Sequence, residues 1–259
     1  MERKIDNVPR EIFDASRSRR QKYQDLVIGR SSWGSLLRYE AIITLASRVP
    51  GALGLFLRSK LYPLLLAECG RNVFFGADVT LRHPHKIRIG NDVVIDDGCV
   101  LDAKGTSNEG ITVGNGVFLG RHTILCTKDG DIILEDRVNV SAFCMIFSAS
   151  RVVCGRDTLF AAYSFVVGGG HEMSSTEQAV IDQDRTSTGI TIGPNGWVGA
   201  GVCILDGATL GRDVVIGANS VVTGDLDDFA IAAGSPATVR RYRTAGSDTS
   251  AHAAGKGTP

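Results

Sequence analysis

Aliphatic side chains recur at every sixth residue near the C-terminal end of the chain, and this period constrains the fold more than any other feature. A glycine directly follows four of these aliphatic residues. Six residues suffice for one short strand and one tight turn, so three hexads close a triangular coil of about 18 residues. Stacked coils bury a continuous aliphatic column and pair each strand with its neighbours above and below. The periodic residues are Ile192, Val198, Ile204, Leu210, Ile216 and Val222.

The same six-residue spacing occurs in earlier parts of the chain, where it defines further triplets of residues that are expected to face inward. A weaker triplet begins at Val73 and Val79. The sequence therefore predicts an all-β solenoid of parallel coils. The four clear triplets are Ile89, Ile95 and Leu101; Val113, Leu119 and Leu125; Leu134, Val140 and Ile146; and Cys154, Phe160 and Val166.

The coils are not equally long, and the extra residues are informative. Successive coils start at 89, 113, 134, 154, 192 and 210, so they span 24, 21, 20, 38 and 18 residues. In this register every insertion follows the third hexad of its coil, which places all of them at one corner of the prism. Insertions collected at one face of a repeat protein often mark its binding face. The longest insertion predicts a protruding arm at 168–189.

Composition excludes several classes of protein. The chain has 28 Lys and Arg against 28 Asp and Glu, which argues against a nucleic-acid partner. Its six cysteines contain no C-x-x-C pair and indicate buried, reduced thiols, and no metal is expected. There is neither a signal-peptide pattern nor an apolar run of about 18 residues, so a cytoplasmic location is expected. The chain has 31 glycines among 259 residues, about 12% against an average near 7%, and this excess fits a chain with many corners.

Segments of a different character flank the repeat. Two helices separated by Pro50-Gly51 are expected to cap the open end of the solenoid, where unpaired strand edges would otherwise be exposed. A second interpretation stays open, in which residues 35–69 are an interfacial anchor that contacts the membrane peripherally. It rests on the arginines and the lysine that are spaced among the apolar residues. The predicted organisation is a polar lead-in at 1–34, an amphipathic helical cap at 35–70, the β-helix at 71–224, a short C-terminal helical segment at 225–243 and a disordered tail at 244–259.

Two stretches resemble the hexapeptide-repeat acyltransferases, in particular the galactoside, maltose and polysaccharide O-acetyltransferases. One is IGPNGWVGAG followed by V-T and A-G-S-P-A within 192–241, and the other is TLFAAYSFVVGGGH at 158–171. The resemblance implies a left-handed parallel β-helix, a homotrimer, and acetyl-CoA as the donor of an acetyl group. The acceptor it implies is a hydroxyl of a saccharide or of a lipid-linked saccharide.

The resemblance also assigns a catalytic base to the arm. His171 follows Gly168-Gly169-Gly170 and matches the family's histidine. An imidazole suits general-base catalysis because its ordinary pKa lies near 6.5. Glu172 is a second catalytic candidate, since a base histidine is usually oriented by an acceptor on its other ring nitrogen. His83, His85 and His122 are expected to be surface residues.

Residue-by-residue matching further suggests where coenzyme A binds, with two arginines near its phosphates because guanidinium donors suit phosphate oxygens. Gly224 stands where the family often has lysine, which puts one phosphate contact in doubt. The cofactor-binding candidates are Trp197, Ala200, Gly201, Ala218, Thr223, Ala233, Gly234, Ser235, Pro236, Arg240 and Arg241.

The acceptor is not determined by the sequence. The stretch 141–147, SAFCMIF, lacks the asparagine that contacts the sugar in galactoside-type enzymes. The loops at the insertion corner offer polar candidates in Asp102, Lys104, Lys128 and Asp129. Three alternatives stay open: an N-acetyltransferase acting on an amino sugar, a zinc lyase resembling the γ-carbonic anhydrases, and a non-catalytic scaffold of the same shape.

Overall fold

Each hexad forms one short strand, as the period predicts. The computed structural model describes residues 16–244. In this part of the chain three sheets, parallel except at the last strand of one of them, form the sides of a prism with seven complete coils. Sheet 1 contains β1 (Glu68–Cys69), β4 (Ile87–Ile89), β7 (Ile111–Val113), β10 (Asp131–Leu134), β13 (Arg151–Cys154), β18 (Ile190–Ile192) and β21 (Thr209–Leu210). The predicted all-β solenoid is therefore confirmed, consistent with the left-handed winding that the resemblance implies.

The other two sides of the prism follow sheet 1 within every coil. Sheet 2 contains β2 (Phe74–Phe75), β5 (Val94–Ile95), β8 (Phe118–Leu119), β11 (Asn139–Val140), β14 (Leu159–Phe160), β19 (Trp197–Val198), β22 (Val215–Ile216), β24 (Ala230–Gly234) and β25 (Ala237–Tyr242). Sheet 3 contains β3 (Thr80–Arg82), β6 (Val100–Asp102), β9 (Ile124–Thr127), β12 (Met145–Ser148), β15 (Phe165–Gly168), β20 (Cys203–Leu205) and β23 (Val221–Val222). Strands β16 (Gly170–His171) and β17 (Arg185–Thr186) form a separate antiparallel pair.

The predicted triplets form the core of the prism. In the four clear triplets, and in the two formed by the C-terminal periodic residues, all three side chains are at most 3% exposed. The first coil differs from the prediction, because Cys69, Phe75 and Leu81 are the residues in register with the next triplet. Val73 and Val79 lie two residues earlier in each hexad. The backbone pairing with the second coil sets this register.

Helices cover the first coil. They are α1 (Arg19–Tyr23), a π-helical turn at Gln24–Ile28, α2 (Trp33–Ala46), α3 (Gly51–Leu61) and a 3-10 turn at Tyr62–Leu64. The Tyr39 hydroxyl donates to the Leu81 carbonyl oxygen at 2.8 Å, and the Arg58 Nε donates to that of Phe75 at 2.9 Å. These bonds satisfy backbone groups at the open end of the solenoid. Arg58 is only 3% exposed, so it serves the cap and does not face lipid headgroups.

Two histidines expected at the surface are instead covered by the N-terminal segment. His83 is 5% exposed, and its Nε2 lies 2.8 Å from the Asp25 carbonyl oxygen. Burial lowers its pKa from 6.5 to about 4, and burial also lowers the pKa of the neighbouring His85. The expectation was wrong because a hydrophilic residue at a corner is exposed only when no other segment packs over that corner.

The C-terminal segment is a β-hairpin, not the predicted helix. Strand β24 pairs in parallel with β22, and β25 pairs antiparallel with β24. The final coil leaves an unpaired strand edge, and the hairpin supplies the missing backbone partners. Pro236 in the turn also interrupts a helix through this segment. Residues 245–259, which include most of the predicted tail, lie outside the described part of the chain, as do residues 1–15 of the lead-in.

The insertions lie at the corner between sheets 3 and 1, as the spacing predicts. The longest one leaves β15 at Gly168 and returns at β18, and the β16–β17 pair forms its stem. A 3-10 turn at Val180–Asp182 lies near its tip. The Asp206 carboxylate accepts from the backbone N–H groups of Thr188 and Gly189 at 2.7 and 2.9 Å, which fixes the returning strand to the solenoid. The corner is thus the base of the predicted arm, which begins one residue later than expected because Gly168 still belongs to β15, and the arm hereafter means residues 169–189.

Candidate active site

His171 lies where the arm leaves the solenoid, and the three preceding glycines determine how it does so. A Cβ atom at Gly168 would lie 2.8 Å from the Val152 side chain. At Gly169, whose φ is +148°, a Cβ would lie 2.7 Å from that of Ala149. At Gly170 no atom of residues 16–244 lies within 4 Å of that position, apart from the two chain neighbours. The first two glycines therefore allow the tight exit of the arm, and the third leaves open space directly before His171.

A small cavity of about 140 Å³ opens beside the histidine. Register pairing places His171 opposite Arg185 across the stem of the arm. The cavity is lined by Lys128, Phe147, Ala149, Gly169, Gly170, His171 and Arg185. Lys128, a candidate from the sequence, is thus brought to the histidine.

Two buried nitrogen atoms in this cavity lack hydrogen-bond partners within residues 16–244: the Nδ1 of His171 and the Nε of Arg185. A buried polar atom without a partner costs about 1–3 kcal/mol, so such atoms in a cleft indicate groups that a ligand or another chain satisfies. The arrangement offers an imidazole able to take a proton beside two cationic side chains.

Glu172 is not placed to orient the imidazole. Its backbone N–H donates to the Asp184 carbonyl oxygen at 2.8 Å, which continues the hairpin beyond His171. Successive side chains of a strand point to opposite faces, so Glu172 and His171 are directed to opposite sides of the arm. A catalytic role for Glu172 therefore has no support in the geometry of this chain.

Several of the coenzyme A candidates meet at the corner between sheets 2 and 3. The Asn219 N–H donates to the Ala200 carbonyl oxygen at 2.8 Å, so this corner and the next one, which carries Ala218, stack directly. The Gly234 N–H donates to the Ser220 hydroxyl at 3.0 Å and brings the 233–236 turn to the same place. The side chains of Ala200 and Ala218 are exposed and small, which leaves the backbone of successive coils accessible.

The remaining coenzyme A candidates are less closely grouped. Arg240 reaches the turn, since its Nη2 lies 3.2 Å from the position of a Cβ at Gly234. Arg241 is exposed on β25, and Trp197 is 54% exposed on the outer face of sheet 2. Thr223 follows β23 and therefore lies across sheet 3 from Ala218. The four-residue strand β15 spans about 13 Å, so sheet 3 also separates this corner from the corner that carries His171.

Three aromatic rings form a ladder at the corner between sheets 2 and 3, and the sequence analysis did not predict it. The His122 and Phe143 rings stack with centroids 5.1 Å apart, and Phe143 and Tyr163 stack at 5.2 Å. All three residues have φ between 57° and 61°, a conformation that bulky residues rarely adopt. His122 is exposed, as expected, and forms one end of this stack. Arg185 was also missed, because nothing in its local sequence indicates that it faces His171.

No three His, Cys, Asp or Glu side chains are grouped as metal ligands within the described part of the chain. The pKa of the Cys99 and Cys126 thiols is raised to about 11 by burial, so neither is activated as a thiolate. No helix between residues 16 and 244 combines the length and the apolar character needed to cross a bilayer.

Comparison with known proteins agrees with the architecture. The family model of the hexapeptide repeat of succinyl-transferase matches residues 69–103 and 189–224. A putative lipopolysaccharide biosynthesis O-acetyl transferase of Escherichia coli is 32% identical over 148 residues, which cover 54% of this chain and 74% of that protein. A probable acetyltransferase of Mycobacterium tuberculosis is 27% identical over 164 residues, which cover 61% of this chain. The chain thus spans only 55% of the length of that protein.

A solved structure shows a similar fold. A mutant of an N-acyltransferase from Bacillus cereus, in complex with dTDP and coenzyme A, superposes with a TM-score of 0.53 at 21% identity. The match covers 77% of this chain and 92% of that one. The repeat, the arm with its histidine and the similarity to the Escherichia coli protein together show that the chain belongs to the hexapeptide-repeat acetyltransferase family.

Proposed function

We propose that this protein transfers an acetyl group from acetyl-CoA to a hydroxyl of a saccharide acceptor, with His171 as the general base. The observation that carries the proposal is the position of His171: it lies at the start of the arm, beside the open space at Gly170 and in a cleft with two cationic side chains. The similarity to a putative O-acetyl transferase supports oxygen as the acceptor atom. Nitrogen is the second candidate, since the N-acyltransferase of Bacillus cereus has the same fold.

The chemistry needs a base because a hydroxyl is a poor nucleophile at neutral pH. In the proposed reaction the acceptor oxygen attacks the thioester carbonyl carbon while the imidazole of His171 takes the hydroxyl proton. The tetrahedral intermediate then expels the coenzyme A sulfur, which receives that proton as the C–S bond breaks.

Acetyl-CoA fits the corner between sheets 2 and 3. Its pantetheine portion is long, thin and rich in amides, and the small side chains of Ala200 and Ala218 leave room for it against the stacked coils. The guanidinium of Arg240 beside Gly234 suits a phosphate. Trp197, Gly201, Thr223, Ala233, Ser235, Pro236 and Arg241 remain proposed contacts of the coenzyme.

The homotrimer implied by the family would unite two half-sites. Within one chain, sheet 3 lies between His171 and the Ala200 corner, so a neighbouring subunit is proposed to supply the second half. Light scattering would measure the assembly mass. Mixing inactive His171→Ala chains with inactive Ala200→Trp chains should restore activity if the site is shared, whereas mixtures that stay inactive would contradict a shared site.

A thiol-release assay tests the transfer itself. Acetyl-CoA is supplied with neutral saccharides, amino sugars and small alcohols in parallel, and the acetylated product is identified by mass spectrometry. Product with a saccharide hydroxyl supports the proposal. Product only at an amine replaces it with the N-acetyl alternative, and no coenzyme A binding at all would favour a scaffold.

The outer surface of the N-terminal helices supports a further proposal, that the protein contacts membranes peripherally and meets lipid-linked acceptors. Six large apolar side chains are exposed there although the inner face packs on the solenoid: Trp33, Leu37, Leu45, Leu53, Phe56 and Leu64. Arg38, Arg48 and Lys60 are exposed among them. This combination suits an anionic lipid surface.

Flotation with anionic and neutral vesicles tests this contact. The wild-type protein should float with anionic vesicles, and a Trp33→Ser, Leu37→Ser variant should remain at the bottom of the gradient with its thermal unfolding unchanged. Equal behaviour of the two proteins would show that these helices only cap the solenoid.

A further inference from the structure

The cavity beside His171 is positively charged on one side and apolar on the other. Lys128 and Arg185 border it together with the histidine, while Phe147 and Ala149 form the apolar wall. No acidic side chain of the described residues lines the cavity. A cleft that holds two cations next to a catalytic base differs from the neutral, hydrogen-bonding pocket that an uncharged sugar requires.

The cations are not neutralised within the described part of the chain. Neither Arg185 nor Lys128 forms a salt bridge between residues 16 and 244, whereas Arg82, Arg137 and other arginines of the solenoid pair with carboxylates. The Nε of Arg185 is buried and lacks a hydrogen-bond partner there. A guanidinium in this state has a strong preference for a bound anion.

The electrostatics of Lys128 point the same way. Burial, followed by the charges of Arg185 and Lys104, lowers the pKa of its ammonium to about 8, against opposing contributions from Asp129 and Cys126. The local field around the ammonium is therefore net positive. A bound anion would relieve this repulsion and the cost of burial together.

Position decides which substrate carries the anion. The group next to a general base is either the thioester or the acceptor hydroxyl, and the thioester carries no charge. The phosphates of coenzyme A are separated from the thioester by the whole pantetheine arm. An anion held beside His171 therefore belongs to the acceptor.

We propose that the acceptor is an acidic saccharide, whose carboxylate or phosphoryl group is bound by Arg185 and Lys128 while His171 takes the proton of a nearby hydroxyl. This rests on the proposed function and narrows its substrate class. The facing positions of His171 and Arg185 on the arm set a short spacing between base and anion site. Phe147 then supplies an apolar wall for the sugar ring.

The test compares three matched acceptors: glucose, glucuronate and glucose 6-phosphate. Wild-type protein should show a lower KM for one or both acidic sugars than for glucose, and the comparison between the two distinguishes carboxylate from phosphoryl. In Arg185→Gln and Lys128→Gln, the KM for the preferred acidic sugar should rise about 10- to 100-fold, the effect of losing a charged hydrogen bond. Arg185→Lys should recover part of the loss.

Controls separate this inference from folding and from coenzyme binding. Arg156→Gln removes an exposed cation at the corner between sheets 1 and 2 and should change nothing. Circular dichroism melting verifies that each variant folds. No preference for either acidic sugar in the wild type, or a raised KM for acetyl-CoA instead of the acceptor, would overturn the proposal.

Direct binding keeps the inference distinct from the transfer reaction. Calorimetric titration of glucuronate, glucose 6-phosphate and glucose into the protein without acetyl-CoA should show binding of an acidic sugar that Arg185→Gln loses. Such binding without any transfer would retain the anion site and reject the proposed reaction. Transfer to glucose with no binding of either acidic sugar would support the proposed reaction and reject the anion site.

Discussion

His171 and Arg185 face each other across the two-stranded stem of the arm, although 13 residues separate them in the chain. Their antiparallel pairing fixes the histidine beside a guanidinium, and Asp206 fixes the returning strand to the solenoid. The candidate base is therefore held by the sheet geometry of the arm and not by a neighbouring carboxylate. We therefore expect different effects from substitutions at His171, at Glu172 and at the glycines that precede them.

Replacing His171 by Ala should reduce kcat by about 10²- to 10⁴-fold, because the acceptor hydroxyl loses its general base. Coenzyme A binding should persist, because the proposed contacts of the coenzyme do not include His171. Glu172→Ala is the matched control and should retain most of the activity, because its side chain is directed to the opposite face of the arm. Thiol release and calorimetry with coenzyme A measure the two quantities, and full turnover in His171→Ala would refute the assignment.

The glycines before the histidine should respond differently to alanine. Gly169→Ala places a Cβ 2.7 Å from that of Ala149 at a φ of +148°, so the arm must shift and activity should fall. The Cβ of Gly170→Ala meets no atom of residues 16–244 within 4 Å, apart from its chain neighbours, and the substitution should leave the melting temperature unchanged. Loss of activity in a fully stable Gly170→Ala would show that substrate passes through this space. Equal stability and activity for both variants would contradict this account of the arm.

Neighbouring isoleucines on β10 test the register of the core. Ile132 is fully buried, and Ile133 is only partly covered on the outer face of sheet 1. Ile132→Ala should lower the free energy of unfolding by about 2–5 kcal/mol, through lost burial and the cavity left behind. Ile133→Ala should cost about 1 kcal/mol or less. Denaturant titration of both variants measures the difference, and similar losses would argue against the period-six register.

Burial of His83 should make stability depend on pH in a defined window. Its folded pKa of about 4 lies below the ordinary 6.5, so the unfolded chain binds more protons between these values. The free energy of unfolding should therefore fall as the pH drops from 6.5 to 4, by about 1.4 kcal/mol per pH unit from this residue alone. Above 6.5 this contribution is constant.

The same titration in His83→Gln isolates that contribution, because carboxylates titrate equally in both proteins. The slope difference between wild type and variant should be confined to pH 4–6.5, and His85, whose pKa burial also lowers, adds to both curves. Identical slopes would mean that the segment around Asp25 does not bury His83 in solution.

The sequence by itself determined the solenoid and its core, because a six-residue period is local information repeated along the chain. Ile192, Val198 and Ile204 needed no knowledge of distant residues to be assigned inward. The place of the arm followed from the same arithmetic, and the glycines before His171 marked its start.

Only the tertiary structure decided what packs against what. Arg185 meets His171 through pairing across the arm, and Asp25 covers His83 across more than fifty residues of chain. Residues 230–242 form a hairpin because β22 leaves an unpaired strand edge, and the hydrogen bonds made at this edge outweigh any local helical preference. These outcomes depend on backbone groups and buried charges finding partners far away in the sequence, and no local pattern records such partners.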